Sequence, residues 1–418
     1  MVSVAEQLAA NLTFSALAKS KELKKRIWFT LGALLVYRLG TYIPLPGIDP
    51  SAWDQIFQSQ AGGILSMFKH SSGGIHRMAI FALNIMPYIS ATILIQLMTT
   101  VSPTLEQIKT EDEQGPVINQ RIRYLTVVLA ALQSYGVAVG LEGANVVSDP
   151  GWFFRVSTVF TLTGGTVFLM WLAEQITSRG LGKGTQLILF TGIVAEVLSA
   201  IFEMVELDRL VTLAVGLILV AEIGLVVFMG RAHRRLLIHT CGGQSSHLSL
   251  KLNTSVEIPP IFASSLLLLP TTIANFSAEN GQTSLLSHGK PLFLAVYVAL
   301  IVFFAFFHTA RVFDPAEVAD NLKKEGGFIP KISPGERTAK YIDYVLTRIT
   351  VVGAAYLAAV CLIPEILITY TAIPFYLGGT DLLVAVSVPM SMIVQVQGLL
   401  APQHRGLITK SKLGGRRR

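Results

Sequence analysis

Four residues in one short segment of this sequence are types that bind metal ions. His233, His239, Cys241 and His247 lie within about 15 positions, but their spacing matches no common zinc pattern. A zinc site normally brings ligands in close pairs, which this segment does not do. We therefore interpret these residues as part of a solvated, histidine-bearing loop and predict no metal site.

Two other groupings suggest chemistry that their surroundings do not favour. The glycines of 180–184 form a G-x-G-x-G pattern, yet no strand precedes it and no nucleotide-binding unit surrounds it. We predict a tight turn there instead.

Glu196 and Glu222 are acids within apolar stretches, and proton coupling is the usual hypothesis for such residues. We find no nucleophile paired with a base, which disfavours an enzyme.

The composition predicts a membrane protein. Of the 418 residues, 52% are hydrophobic and 14% are charged, and the mean hydropathy is +0.57. Soluble domains contain roughly 25% charged residues. The composition also excludes a disordered chain and a disulfide scaffold, since Cys241 and Cys361 are the two cysteines and lie far apart. We expect both to be free thiols.

The apolar residues occur in blocks long enough to cross a bilayer, which requires about 20 residues each. We predict ten spans: 27–39 (extended by 41–43), 78–101, 124–141, 156–173, 187–202, 210–229, 258–276, 291–307, 345–363 and 375–400.

The basic residues predict the orientation of these spans. Of the 33 Lys and Arg residues, 26 lie before the first span, in alternate loops and in the tail, and 6 lie on the opposite side. Basic residues mark cytoplasmic loops, so both ends of the chain are expected in the cytoplasm. Basic residues at 19–26 precede the first span, but we find no small-residue cleavage site of a signal peptide after it.

Some of the apolar segments are interrupted. The piece 64–68 is too short to span, and the pairs Gly62-Gly63 and Gly73-Gly74 flank it. It is either an interfacial loop or a re-entrant segment entering a cavity. Pro259-Pro260 opens the seventh span. Interruptions in both halves suggest two repeats around a central pathway, and so an all-α polytopic membrane protein with a pore.

Five motifs carry a resemblance to a known family. In chain order they read IFALNIMPYIS, WLAEQITSRG, IFASS, VADNLKK and PFYLGGT, at 80–90, 171–180, 261–265, 318–324 and 374–380. Together they resemble the SecY family of protein-translocase channel subunits. The resemblance implies ten transmembrane helices in two pseudo-symmetric inverted halves around a central pore. It divides the chain into a cytoplasmic segment 1–26, halves 27–205 and 206–400 with cytoplasmic loops 230–252 and 311–342, and a basic tail 401–418.

The resemblance also implies a plug near 62–72, a lateral gate between spans two and seven, and an apolar ring at the waist of the pore. The residues that it assigns to the plug are Gly62, Gly63, Ile64, Leu65, Met67, Phe68, Gly73 and Gly74. Those that it assigns to the ring are Ile85, Ile89, Leu189, Ile261 and Val384. Because Ile85 and Ile89 are four positions apart, they would share a helix face. A narrow apolar ring can block ions by dewetting.

Three polar residues inside spans two and three are candidates for the gate: Ser90, Gln96 and Gln133. Such side chains form interhelical hydrogen bonds of about 1 kcal/mol and could set the energy of gate opening. Static packing is the equally open alternative.

The basic loops after spans six and eight are the candidate contacts for cytoplasmic partners. The residues are Arg234, Arg235, Lys251, Lys323, Lys324, Lys331 and Arg337. They could serve only as topology determinants, or, as the resemblance implies, bind the ribosome and the SecA motor ATPase. Ser333 stands where the family has an arginine, and Lys331 is the candidate substitute. The segment 239–243 also replaces a basic stretch of the family.

The function implied by the resemblance is a protein-conducting channel in the bacterial inner membrane, without enzymatic activity or a cofactor. It would pass unfolded secretory proteins and release signal sequences and membrane-protein helices into lipid. Its expected partners are SecE and SecG-type small membrane subunits, SecA, the ribosome, signal-sequence-bearing polypeptides and membrane lipid. The alternative is a secondary transporter of a small solute, in which Glu196 or Glu222 would act.

Overall fold

A computed structural model describes residues 21–49, 78–101, 116–143, 146–204, 209–240, 245–251, 258–277, 290–330, 332–370 and 378–414. Each of the ten predicted spans corresponds to one helix in this part of the chain. The helices and strands, in chain order, are α1 (Lys21–Gly40), α2 (Met86–Val101), α3 (Pro116–Gly143), α4 (Trp152–Arg179), α5 (Gly184–Met204), α6 (Arg209–Arg231), β1 (His233–Thr240), β2 (Ser245–Lys251), α7 (Ile258–Ser277), α8 (Pro291–Val312), α9 (Pro315–Lys324), β3 (Gly327–Phe328), α10 (Glu336–Tyr370) and α11 (Gly379–Gly414).

Several helices are individually long and apolar enough to cross a membrane. Within the described residues five segments meet this condition: Val117–Gly143, Trp152–Arg179, Pro291–Lys324, Glu336–Leu367 and Gly379–Leu399. Shorter apolar helices cover Met86–Thr99, Gly184–Ala195 and Ile258–Leu267. This pattern is that of a multi-pass helical membrane protein.

The chain forms two compact units. The first contains α1 to α4, α5 as far as Glu196, and α11 from Val388 onward. The second contains α5 from Val197, α6 to α10, the strands, and α11 as far as Ser387. The predicted division of the chain into halves near residue 205 stays a prediction.

In the first unit, α3 packs against α2 and α4. The contact between α2 and α3 is apolar, with Ala91, Ile95 and Ile122 buried at its centre. Within a bilayer such apolar side chains stabilise the helix pair through close van der Waals packing. An ion pair between Arg123 Nη2 and Glu174 Oε2, at 2.8 Å, joins α3 to α4.

The start of α2 differs from the prediction. The second span was predicted to begin at residue 78, but the helix begins at Met86. Met78 and Asn84 have positive φ angles of 41° and 51°, which a helix cannot contain. The intervening segment is instead held by the chain after α1, since Leu45 N–H donates to the Met78 carbonyl (2.8 Å) and Ile80 N–H donates to the Ile43 carbonyl (3.0 Å).

The glycine-rich turn between α4 and α5 confirms the predicted tight turn. Gly182 has a φ of 83°, a conformation that favours glycine. Its N–H donates to Gln395 Oε1 of α11 at 2.6 Å, and Leu181 N–H donates to Thr30 Oγ1 of α1 at 2.9 Å. Leu181 and Leu23 form a small buried cluster beside this turn. The turn therefore joins α1, α4, α5 and α11 within the first unit.

In the second unit, α8 packs against α7 and α10. Phe262 of α7 meets Phe304 of α8 edge to face, with ring centroids 5.6 Å apart. Gly379 begins α11 so close to α10 that a β-carbon there would overlap the Val360 carbonyl. Both contacts require small or flat groups at the helix surfaces.

A small sheet forms where only loops were predicted, within residues 230–252 and 311–342. The strands pair antiparallel in the order β2-β1-β3, with Leu236 opposite Leu248 and His239 opposite Phe328. Leu236 and Leu250 are buried against Val345 of α10, which gives the sheet its core. The alternation of polar and apolar residues in β2 was the available signal.

Candidate functional site

The first two residues of the predicted ring lie at the beginning of α2. Ile85 is fully buried and Ile89 is 8% exposed. Ile85 precedes the helix, so the prediction that both lie within a helix is wrong in this detail. The two residues are nevertheless one turn apart, because Ile89 N–H donates to the Ile85 carbonyl at 3.2 Å. Asn84 Oδ1 accepts from Ile85 N–H at 2.8 Å and fixes this start.

The other three ring residues lie on three different helices and are also buried. Leu189 belongs to α5 in the first unit. Ile261 on α7 and Val384 on α11 belong to the second unit. The structure thus supplies apolar, well-packed side chains at all five positions, while their assembly into one ring stays a prediction.

The predicted plug lies outside the described residues, but the chain on either side of it is held. Before it, Asp49 N–H donates to the Val146 carbonyl at 3.1 Å, and Ile48 forms a β-bridge with Val147. After it, Ala79 forms a β-bridge with Pro44. The segment 50–77 therefore starts and ends on the same small piece of the first unit.

The gate candidates fall into two groups. Ser90 and Gln133 are each 2% exposed, and neither Ser90 Oγ nor the Gln133 amide atoms have a hydrogen-bond partner among the described residues. Gln96 does have an interaction partner. Ser90 and Gln133 therefore form no interhelical hydrogen bond within the described part of the chain. Each buried unsatisfied polar group costs about 1–3 kcal/mol.

The two basic loops, which were predicted as separate contacts, form one surface, which we call the basic platform. Strand β1 of the first loop pairs with β3 of the second, and α9 packs against both β3 and α10. The platform carries Arg234 and Arg235 on β1, Lys251 on β2, Lys323 and Lys324 on α9, and Arg337 and Lys340 on α10. Lys331 lies outside the described residues.

The cations of the basic platform differ in their pairing. Lys324 Nζ is 3.0 Å from Asp320 Oδ2, and Lys340 Nζ is 2.7 Å from Glu336 Oε1, both at i,i+4 spacing. Arg337 is exposed and has no ion pair with any residue that the structure describes. An unpaired, planar guanidinium is available for a phosphate or carboxylate.

Of the two intramembrane acids, Glu222 is 4% exposed and neither carboxylate oxygen has a hydrogen-bond partner in the described chain. The side chain of Glu196 and all of Cys241 lie outside the description. Cys361 is a buried free thiol, as predicted.

Comparison with known proteins identifies the class to which this arrangement belongs. The SecY family profile matches residues 79–393. The protein translocase subunit SecY of Rickettsia felis is 48% identical over 420 residues, covering 94% of this chain and 97% of that protein. SecY of Escherichia coli K12 is 46% identical over 423 residues, covering 94% and 96%.

Solved structures agree on the fold. A protein-conducting channel matches with a TM-score of 0.63 at 17% identity, covering 90% of this chain and 93% of the other. Sec61 from a canine ribosome-channel complex matches with a TM-score of 0.62 at 16% identity, covering 90% and 92%. The class is that of multi-pass, helical protein-conducting channels. The chain belongs to the SecY family; it is a channel subunit and not an enzyme.

Proposed function

We propose that this chain passes unfolded secretory proteins across the bacterial inner membrane and releases signal sequences and membrane-protein helices laterally into lipid. The observation that carries the proposal is the family match over 79–393, together with relatives that align along nearly their whole length. The helices long enough to span a membrane support it. The small-solute transporter has no support from these comparisons.

The seal of the proposed channel consists of the five ring residues. Ile85, Ile89 and Val384 are branched, apolar and buried, so they offer no hydration to an ion. They also offer no hydrogen bond to a passing side chain, which suits a channel for polypeptides of any sequence.

Two of the gate residues, Ser90 on α2 and Gln133 on α3, would act through hydrogen bonds that they do not make with any residue that the structure describes. A polar group of a passing polypeptide could satisfy them, which would recover part of the cost of leaving them unpaired.

The proposed plug should be removable without loss of the fold. Deleting 64–71 leaves both glycine pairs in place, and glycine adopts backbone angles that other residues avoid. We expect normal amounts of folded protein in the membrane and a severalfold higher resting ion conductance in planar bilayers. The matched control replaces 64–71 by serine and glycine and so keeps the length of the chain. If neither variant assembled in the membrane, the segment would be structural and not a plug.

The proposed partners are SecE and SecG-type small subunits, the SecA motor and the ribosome. Relatives of this fold include Sec61 in a canine ribosome-channel complex and a yeast Ssh1 complex bound to the 80S ribosome. The cations of the basic platform favour ribosomal RNA phosphates electrostatically. The excess of basic residues on one side favours a cytoplasmic location for both chain ends.

The test of this function is reconstitution. The chain, purified with whatever small membrane subunits accompany it, is placed in vesicles with SecA, ATP and a radiolabelled precursor. Protease-protected precursor is expected only when the chain is present. If the precursor stayed outside these vesicles and a small solute were taken up with saturable kinetics, the transporter would be favoured instead.

Arg337 should contribute more to partner binding than Lys340, although each carries one positive charge. Lys340 is already paired with Glu336, whereas Arg337 is exposed and forms no ion pair with a described residue. We expect Arg337→Ala to weaken SecA or ribosome binding several-fold and Lys340→Ala less than twofold. Binding to vesicles is measured at low and high salt, because exposed charges are screened.

Lys331→Ala and Ser333→Arg complete this series. If Lys331 replaces the family arginine, Lys331→Ala should lower SecA-stimulated ATP turnover and Ser333→Arg should raise it. Equal losses for Arg337→Ala, Lys331→Ala and Lys340→Ala would instead indicate a diffuse basic surface without a defined contact.

A further inference from the structure

We propose that the outer edge of strand β2 binds an extended peptide segment of a partner protein, in which apolar and acidic residues alternate. The segment would pair with β2 as an additional strand of the sheet. This inference adds a peptide-binding edge to the basic platform, and it does not depend on whether the chain transports protein.

Strand β2 has one side that no described strand covers. The sheet has the order β2-β1-β3, so β1 occupies one side of β2 and the other side is an edge. Apart from its pairing with β1, the backbone of Ser245–Lys251 forms no hydrogen bond with a described residue. Successive residues of a strand direct their N–H and C=O groups to alternate sides, so about half of these residues direct theirs outward. At roughly 3.4 Å per residue, the edge suits a peptide of about seven residues.

This edge lacks the features that usually keep sheet edges from pairing. Natural sheets protect their edges with proline, β-bulges, very short strands or charged residues within the strand. Strand β2 contains no proline, and its seven consecutive residue pairs with β1 include no bulge. Lys251, at the last position, is its one lysine, arginine or acid. An edge of this kind is a template for strand addition, in which main-chain hydrogen bonds provide the affinity.

The charge around β2 favours an acidic partner. Residues 231–251 contain four basic residues and no acid. Acids of the second loop, such as Glu317 and Asp320, lie on α9, which packs against β3, and β1 separates β3 from β2. The edge therefore attracts a segment that carries carboxylates. A second copy of this strand would instead bring like charges together, which is unfavourable.

The two faces of the sheet determine the pattern of the segment. On the inner face Leu250 is buried and Leu248 is partly buried, in the cluster that contains Val345 of α10. On the outer face His247 and Arg235 are exposed. A segment beside β2 would place alternate side chains on these two faces. Apolar side chains would cover the open side of Leu248, and carboxylates would lie on the same face as the guanidinium of Arg235.

A nucleic acid fits this edge less well than a peptide does. Phosphate oxygens accept hydrogen bonds and donate none, so the outward C=O groups of β2 would stay unmatched beside an RNA backbone. An extended peptide supplies donors and acceptors at the same spacing as β2 itself.

Fluorescence anisotropy with a synthetic peptide tests the proposal. The full chain, with its accompanying subunits, is placed in nanodiscs and titrated against a fluorescein-labelled peptide of alternating valine and glutamate, about eight residues long. We expect saturable binding, and at least tenfold weaker binding when lysine replaces glutamate. Two further peptides carry N-methyl groups on the valines or on the glutamates. One set should bind at least tenfold more weakly and the other less than twofold, because only alternate N–H groups face the edge.

Variants of the chain locate the site. Ser246→Pro and His247→Pro are adjacent, so the N–H that is lost faces the edge in one variant and β1 in the other. The variant that keeps its thermal unfolding midpoint should bind the peptide at least tenfold more weakly. Arg235→Ala should weaken binding severalfold. Lys323→Ala is its matched control and should change binding less than twofold, since Lys323 is exposed on α9 at the β3 side.

Three results would overturn the proposal. The first is an equal affinity of the two N-methylated peptides, which excludes pairing with an edge. The second is that an RNA oligonucleotide binds where the valine–glutamate peptide does not, which assigns this surface to polyanions alone. The third is disulfide formation between two copies of a His247→Cys variant without peptide binding, which assigns the edge to a second copy of the chain.

Discussion

Replacing Gly165 by alanine is expected to destabilise the first unit by about 1–3 kcal/mol, whereas the same change at the adjacent Gly164 should not. A β-carbon at Gly165 would overlap the Ile80 carbonyl oxygen and press on the Phe81 ring. Backbone cannot move aside as a flexible side chain can. At Gly164 a β-carbon meets nothing within 4 Å.

The two glycines form a matched pair on one helix. Gly164→Ala should be neutral or stabilise α4 by up to about 1 kcal/mol, because alanine is the better helix former. Gly165→Ala should also displace residues 78–85, which lead into α2, and so disturb Ile85 and Ile89. The measurement is the thermal unfolding midpoint of both variants in the same detergent or nanodisc. Equal midpoints would show that residues 78–85 can shift without cost.

Replacing Ile89 by asparagine is expected to raise the resting ion conductance severalfold. Ile89 is 8% exposed and one turn from Ile85, so an amide there would put hydrogen-bonding groups into the proposed ring. Water would then enter a constriction that an apolar lining keeps dry. Precursors with weak signal sequences should also be exported better, because a wetted ring opens more easily.

The control for this prediction is Ile89→Val, which keeps a branched apolar side chain and should leave the conductance near its original value. Conductance is measured in planar bilayers, and the folded amount by gel filtration of the solubilised protein. An unchanged conductance in Ile89→Asn, with normal folding, would remove Ile89 from the ring.

The helices could be predicted from the sequence because a span needs a long apolar block, and such blocks are visible in composition alone. The beginning of α2 could not be found in this way. Residues 78–85 are as apolar as the helix that follows, and hydropathy does not report the positive φ of Met78 or Asn84. Pro87, in the first turn of α2, was the overlooked signal, since proline is favoured there.

Some contacts of the candidate site could also be predicted from the sequence, and others could not. The i,i+4 spacing of Glu336 and Lys340 was visible in the sequence and predicts their ion pair. The joining of the two basic loops was not, because it depends on pairing between His239 and Phe328, which are far apart in the chain. The positions of the ring residues came from family motifs, since buried apolar residues of a pore and of an ordinary core look alike in one sequence.

The anchored ends of segment 50–77 have a consequence for how the first unit folds. Asp49 is bound to Val146, and Ala79 is bridged to Pro44, so these backbone bonds hold both ends of the 28 residues 50–77 on the first unit. Loop-closure entropy depends only weakly on length: shortening the loop from 28 to 20 residues changes it by about 0.3 kcal/mol. Natural or engineered changes in the length of this segment should therefore alter the entropic cost of bringing its two ends together very little.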